Sequence, residues 1–387
     1  MGGAISFRDL VNKSVFLNRD ILFSQKPPGG FIHRDEQKNE LIIELSKIIT
    51  IRKPCFLFMY GSPGTGKTAL IDEVIKDLKN VAEENKLNIK DYYLNCSEHR
   101  TENAIMCGII NKMDREDVIS RIKQSEFISQ INKEHKNQHV ILILDEIDFA
   151  LKESGDEFLY NLALLNEKSD CNISIIFISN DLKVYDYIKP RTQNIIGKTK
   201  IIFPPYNFEE LKKIIKNRIN IAFRQNTFDD EVIEIIAEKE ANRKGDARSA
   251  LELVDACGKI ATQKGMNNIN SSIVDEAEAY LEKSSVLTKL PELGKHHKLV
   301  LLSILNNKSD NVGSEINKKY IELCSQYNIK PVSDRRVRTI VTFLDELDLI
   351  FTKVKWVKEL NKKSKQITIP YSKPTQEKAI ELLRDTI

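Results

Sequence analysis

The chain has 387 residues, enough for two or three domains that each bury a core. Charged residues make up 30% and apolar ones 41%, a globular balance, with no bilayer-length apolar stretch and no signal-peptide apolar region at the N-terminus. A net charge of +3 confines any nucleic-acid surface to a local patch; the six scattered cysteines (55, 96, 107, 171, 257 and 324), lacking a C-x-x-C pair, argue against zinc or disulfides and for a reducing cytoplasm.

Residues 1–30 carry little pattern until the loop signal Lys26-Pro27-Pro28-Gly29-Gly30. Phe31-Ile32-His33-Arg34 then leads into a helix, with Leu41, Ile42, Leu45, Ile48 and Ile49 at helical spacing. The apolar run 55–60 predicts a strand, and the pattern 69–78 a helix. Between them stands Gly61-Ser62-Pro63-Gly64-Thr65-Gly66-Lys67-Thr68, the G-x-x-x-x-G-K-T phosphate-binding loop. Its glycines let the backbone from Pro63 to Ala69, with N–H groups from Gly64 on, turn toward a phosphate, and the helix N-terminus adds partial positive charge. With ATP or ADP as the nucleotide, Lys67 is assigned to the β- and γ-phosphates and Thr68 to Mg²⁺.

A second strand is expected at 92–95 and polar helix over 101–136. The unbroken apolar run 140–144 reads as a parallel strand buried on both faces, ending in Asp145-Glu146, a Walker-B pair. Asp145 is expected to hold Mg²⁺ and Glu146 to polarise the attacking water, whereas Asp148 reads as structural. Strands at 173–178 and 200–203 follow, with Asn180 just after the first: either a turn former or a sensor of the γ-phosphate. Helical patterns between the strands make this an α/β domain with a parallel five-stranded sheet, ending near Pro204-Pro205.

Four helices at 209–223, 230–239, 246–261 and 271–281 form an all-helical lid, and 287–297 reads as a linker. In Gly245-Asp246-Ala247-Arg248, a cation in a helix's first turn opposes the dipole, so Arg248 should meet an anion, either the γ-phosphate or a surface carboxylate. Helices at 298–305, 315–327 and 333–349 and two lysine-rich β runs to Ile369 give the winged-helix order. Arg335, Arg336 and Arg338, with Thr339 and Thr342, fall off the apolar face of the third helix and suit duplex DNA. The wing adds Lys353, Lys355, Lys358, Lys362, Lys363 and Lys365 around Trp356.

Taken together, GSPGTGKT, LDEIDFAL, ISN, IIFPPYNFEEL and GDARSALELVDAC, in this order, resemble archaeal replication initiators of the origin-recognition/cell-division-cycle type, a clade of AAA+ ATPases. The resemblance runs from about Phe31 to Ile369. It implies an AAA+ domain over 1–206, a lid over 207–285 and a winged helix over 298–387. It also implies that Tyr206 and Arg218 line the nucleotide site, and that Arg115, Arg121 and Lys123 of a helical insertion approach DNA. A cytoplasmic, nucleoid-associated protein with weak Mg-dependent ATPase activity is expected. Its implied partners are origin DNA, other initiator subunits and the replicative helicase, with no membrane. Two departures stand out: no arginine finger near Ile195, where Arg191 is a weak substitute, and a wing without the usual glycine and arginine pattern. The competing readings are a winged-helix transcription regulator and a signalling switch ATPase.

Overall fold

The computed structural model describes residues 14–24, 30–113, 119–197, 199–306, 311–357 and 362–387, in two compact units, Met1–Ser271 and Ser272–Ile387. In the first unit α1 (Asp35–Thr50) precedes β1 (Phe56–Gly61), α2 (Lys67–Glu84) and β2 (Ile89–Asn95). Then come α3 (Glu102–Asn111), α4 (Gln124–His135), β3 (His139–Asp145), α5 (Ile147–Ser154), α6 (Glu157–Ala163) and the single turn α7 (Leu165–Lys168). β4 (Asn172–Ser179), α8 (Pro190–Ile196) and β5 (Lys200–Phe203) complete a five-stranded parallel sheet in the order β2-β3-β4-β1-β5.

β3 shows why its sequence lacks alternation. Val140, Leu142 and Leu144 pack on one side with Ile105 and Phe127, while Ile141 and Ile143 pack on the other with Leu45 and Leu70. Both faces are buried, so the polar residues His139 and Asp145 stand only at the ends of the strand. The register pairs Asn95 with Asp145 and Tyr60 with Ser179, bringing the carboxyl ends of β1 to β4 to one edge. An open parallel sheet places its ligands there.

Three further helices follow in this unit: α9 (Phe208–Ala222), α10 (Asp230–Arg243) and α11 (Ala247–Lys264). Asn207 and Glu210 form a capping box on α9, and the Asp246 carboxylate accepts from Arg248 N at 2.7 Å and Ser249 N at 3.3 Å to cap α11. The segment 14–24, which has no readable pattern, packs on these helices. Phe16 lies against Phe223 at 4.7 Å, Val15 N donates to Thr262 Oγ1 at 3.4 Å, and Arg19 grips the buried Asp255 at 2.5 and 2.9 Å.

The second unit holds α12 (Ser271–Lys289), α13 (Lys295–Leu305), β6 (Asn311–Val312), α14 (Gly313–Gln326), α15 (Asp334–Glu346), β7 (Phe351–Val357), β8 (Lys362–Thr368) and α16 (Lys373–Thr386). The strands form an antiparallel sheet in the order β6-β8-β7, and Leu299, Tyr320, Ile340 and Leu344 centre the core. The expected linker at 287–297 is helical at both ends. Val286 and Leu290 are buried, which carries α12 on to Lys289, and the break narrows to the stretch around Pro291 and Gly294. α16, beyond the last element read from the sequence, adds Ala379 and Leu383 to this core. All six cysteines are buried and free. Among the described residues no helix is long and apolar enough to cross a membrane.

Candidate functional site

β1 ends at Gly61 and α2 begins at Lys67, so the phosphate loop is strung between a strand end and a helix start. Gly64 and Gly66 hold φ of +67° and +91°, a region that side chains disfavour. A Cβ on Gly64 would overlap the Asp246 carboxylate, and one on Gly66 would lie 3.0 Å from the Tyr206 hydroxyl. The loop is therefore a cradle that admits backbone only. Thr65 closes it from within, its hydroxyl donating to Ser62 O at 2.8 Å, while Pro63 is exposed at the rim and Ala69 lies in the first turn of α2. Lys67 is buried and donates to the carbonyls of Gly61 at 2.8 Å and Ser62 at 2.9 Å. Burial pushes its ammonium down to about 8, against the upward pull of Asp145 and Asp246.

Three side chains meet at the end of β3. Asp145 Oδ2 accepts from Thr68 Oγ1 at 2.6 Å and from the Tyr93 hydroxyl at 2.9 Å. Burial, together with the Asp145 charge, holds the Tyr93 phenol in its protonated state as the donor. A hydroxyl and a carboxylate converging here form an oxygen-only pair that suits Mg²⁺, which takes one or two protein ligands and completes its shell with phosphates and water. Glu146 follows with φ +54°, ψ +39°, so the chain turns left-handed and the next helix starts at Ile147. Asp148 is structural, as read: its carboxylate accepts from Ser179 Oγ at 2.8 Å and ties α5 to β4. Asn180, half-buried, stands directly after β4.

Tyr206 is buried beside Gly66, and its N–H donates to Gly245 O at 3.0 Å. Arg248 is exposed in the first turn of α11, close enough for its charge to lower the Lys67 pKa. Arg218, on α9, is buried. Its guanidinium donates to Ile21 O at 2.5 Å and Ser24 O at 2.9 Å, so it holds the N-terminal segment. Arg191, the substitute finger, stacks on Tyr160 at 4.1 Å and donates to that phenol oxygen at 2.7 Å.

In the second unit, Ser333 caps α15 by accepting from Arg336 N at 3.4 Å, and Val337, Ile340, Val341 and Leu344 face the core. Arg335, Arg336, Arg338, Thr339 and Thr342 are all exposed. Asp334, Arg335, Arg338, Thr339, Thr342 and Phe343 line a groove of about 520 Å³. Arg338 is not a free cation: Asp334 binds it at 2.5 Å. Both threonine hydroxyls donate back one turn, to Arg335 O and Arg338 O at 3.2 Å. In the wing, Lys353 is exposed with its Nζ 5.3 Å from the Phe351 ring centre, and Lys355 pairs in register with Ser364. The side chains of Lys355, Lys362, Lys363 and Lys365, and the whole of Lys358, lie outside the described residues, as does Arg115. Arg121 and Lys123 are exposed.

Three family profiles match: an AAA domain over residues 51–187, a Cdc6 AAA+ ATPase-type lid domain over 212–279 and a CDC6 C-terminal winged helix domain over 288–379. The ORC1-type DNA replication protein 1 of Sulfolobus acidocaldarius is 33% identical over 377 residues, spanning 95% of this chain and 93% of its own. The chain belongs to the ORC1-type DNA replication proteins. The corresponding protein of Thermococcus onnurineus is 31% identical over 353 residues, covering 88% of this chain and 85% of its own. In structure, the Aeropyrum pernix ORC1 protein in complex with DNA superposes with a TM-score of 0.83 at 27% identity, covering 95% of this chain and 97% of that one.

For an ORC1-type protein, Arg34 and Tyr93 at this site carry no sequence signal of their own, and Asp246 is signalled only as part of the Gly245–Arg248 stretch. Arg34 is only 2% exposed, donates to Thr65 O at 3.0 Å and Pro204 O at 2.8 Å, and stacks on Tyr206 at 3.8 Å. Tyr93 touches the Thr68–Asp145 pair and Asp246 touches the loop. Neither belongs to the phosphate-loop or Walker-B pattern, and only the strand register and the start of α11 bring them there.

Proposed function

We propose that the chain is an ATP-dependent origin-recognition protein that binds duplex DNA at replication origins and helps to start replication, with slow ATP hydrolysis as a state switch. The observation that supports it most is the presence, in one chain, of the Lys67–Thr68–Asp145 constellation and an exposed arginine row on the capped helix α15. The similar Aeropyrum pernix ORC1 protein, whose structure is a complex with DNA, points the same way. In this reading the AAA+ domain covers 1–206, the lid 207–285 and the winged helix 298–387.

The backbone from Pro63 to Ala69 cradles the phosphates of ATP or ADP, and Lys67 leaves its loop carbonyls to bind them. Mg²⁺, held through Thr68 and Asp145, neutralises phosphate charge when bound. Glu146 accepts a hydrogen bond from the attacking water, Asn180 orients it, and Arg248 reaches the γ-phosphate from the lid. Tyr206 closes the site beside Gly66, and Arg218 acts through the segment it holds. With Arg191 engaged by Tyr160 and no arginine near Ile195, turnover is slow. Arg335, Arg336, Arg338, Thr339, Lys353 and Lys355 face DNA phosphates and base edges. Other initiator subunits and the replicative helicase are the expected protein partners, in the nucleoid.

The test is genome-wide mapping of bound DNA for the wild type and Arg336→Ala. Sharp enrichment at a few loci where replication forks start, lost in the variant, supports the proposal. Enrichment at many promoters instead makes the chain a transcription regulator, and no enrichment leaves a nucleotide switch acting on proteins.

A further inference from the structure

Arg34 is an unusual cation. It is buried, yet among the described residues no carboxylate pairs with it. Its donors go to main-chain carbonyls of the phosphate loop (Thr65), the end of β5 (Pro204) and its own neighbour His33, and its face lies on Tyr206. A buried guanidinium is normally paired with an anion. Here it sits where the phosphate loop meets the chain that leads into the lid.

On the far side of Tyr206, the same residue's N–H is bonded to Gly245 O, and Gly245 leads directly into Asp246, the cap of α11. Asp246 in turn abuts Gly64. The contacts form one continuous line: Thr65 carbonyl, Arg34, Tyr206, Gly245, the first turn of α11, Arg248. A guanidinium is a rigid planar fork, so a shift of the Thr65 carbonyl turns its plane and the ring stacked on it. The loop has a reason to shift, because Lys67 must give up two loop carbonyls to bind a phosphate.

We propose that Arg34 is a positioning residue that passes occupancy of the phosphate loop, through Tyr206, to the first turn of α11. This rests on the reading of the loop as an ATP site, and the test separates the two. Hydrogen–deuterium exchange is followed on the full chain, with and without saturating Mg-ATP, at 62–70 in the loop and 245–251 in the lid. The wild type is expected to gain protection at both. Arg34→Gln is expected to keep the loop protection while exchange at 245–251 returns to that of the nucleotide-free protein. Arg34→Lys, which keeps the charge but not the planar fork that spans Thr65 O, Pro204 O and the Tyr206 ring, is expected to do the same and decides the matter alone if Arg34→Gln does not fold.

Protection of both segments in a variant overturns the relay. So does loss of both, which would make Arg34 part of the binding site itself. Wild-type protection of the loop without the lid overturns the relay and leaves the ATP site standing. No protection anywhere removes the ATP site, and the relay with it.

Discussion

Thr68 and Asp145, 77 positions apart in sequence, share a 2.6 Å hydrogen bond, hydroxyl to carboxylate. In the proposed function that pair is the oxygen set that would hold Mg²⁺. Asp145→Asn keeps the size and an acceptor for Thr68 and Tyr93 but removes the charge. Fluorescent-nucleotide titrations should give ATP affinity about 10-fold weaker or more in Mg²⁺ and little change in EDTA. An equal loss in both conditions would place Asp145 outside the metal site.

Lys67 predicts the pH dependence of nucleotide binding. In the free protein its ammonium titrates at about 8, and bound phosphate favours the charged form, so its pKa in the complex is higher. Below pH 8 both states are protonated and affinity is flat. Above it, binding takes up a proton and affinity falls by up to about tenfold per pH unit. Titrations from pH 7 to 9.5 test this, and Lys67→Arg, which does not titrate in the range, should flatten the profile.

His139 controls stability in acid. It is 1% exposed, its Nε2 shares a 2.8 Å hydrogen bond with Ser174 Oγ, and its Nδ1 has no partner among the described residues. Burial pushes its pKa down from 6.5 to about 4, with the Arg52 charge adding to the shift. The unfolded chain therefore binds the proton first. Stability is full above pH 6.5 and is lost as pH falls toward 4, by about 3 kcal/mol in all. Urea unfolding at pH 7 and 4.5 should show a drop that His139→Gln reduces.

Arg19 and Asp255 should be coupled. Arg19→Ala leaves the buried carboxylate with Lys259 alone, at 2.7 Å. A double-mutant cycle with Asp255→Asn, read by denaturant unfolding, should give a coupling energy of about 1 kcal/mol or more. Additive effects would mean that the segment 14–24 is held by its apolar contacts and Arg218.

The arginines of α15 should not be equivalent. Asp334 already neutralises Arg338, whereas no such pair engages Arg336 among the described residues. Arg336→Ala should lower the slope of log affinity against log salt by about 1, Arg338→Ala by less, and Asp334→Ala should tighten duplex binding. Fluorescence anisotropy at several salt concentrations measures all three.

How much of this could be read from the residues follows from distance along the chain. The phosphate loop, the Asp145-Glu146 pair and the arginine row are local patterns whose context is also local, so spacing reveals them. β3 was legible because burial on both faces leaves an unbroken apolar run. Arg34 and Tyr93 were not legible, since their partners lie 31 and 52 positions away and each alone looks ordinary. Arg218 could be placed near the site only by resemblance, and its hydrogen bonds to Ile21 and Ser24 depend on a segment with no periodicity of its own. The linker reading at 287–297 gave too much weight to Pro291 and Gly294, and too little to Val286 and Leu290, which bury the end of α12.

The segment 14–24 also has a history during synthesis. Val15 hydrogen-bonds to a residue 247 positions later, and Arg19 pairs with one 236 positions later. At about 5–20 residues per second, those partners leave the ribosome on the order of 10–50 s after the segment does. The parallel sheet can assemble in that interval; α9, which supplies Arg218, is made before α11, so the bonds to Asp255 and Thr262 become available after those to Arg218. The full set of contacts that fixes this segment is therefore among the last parts of this unit to form on the nascent chain.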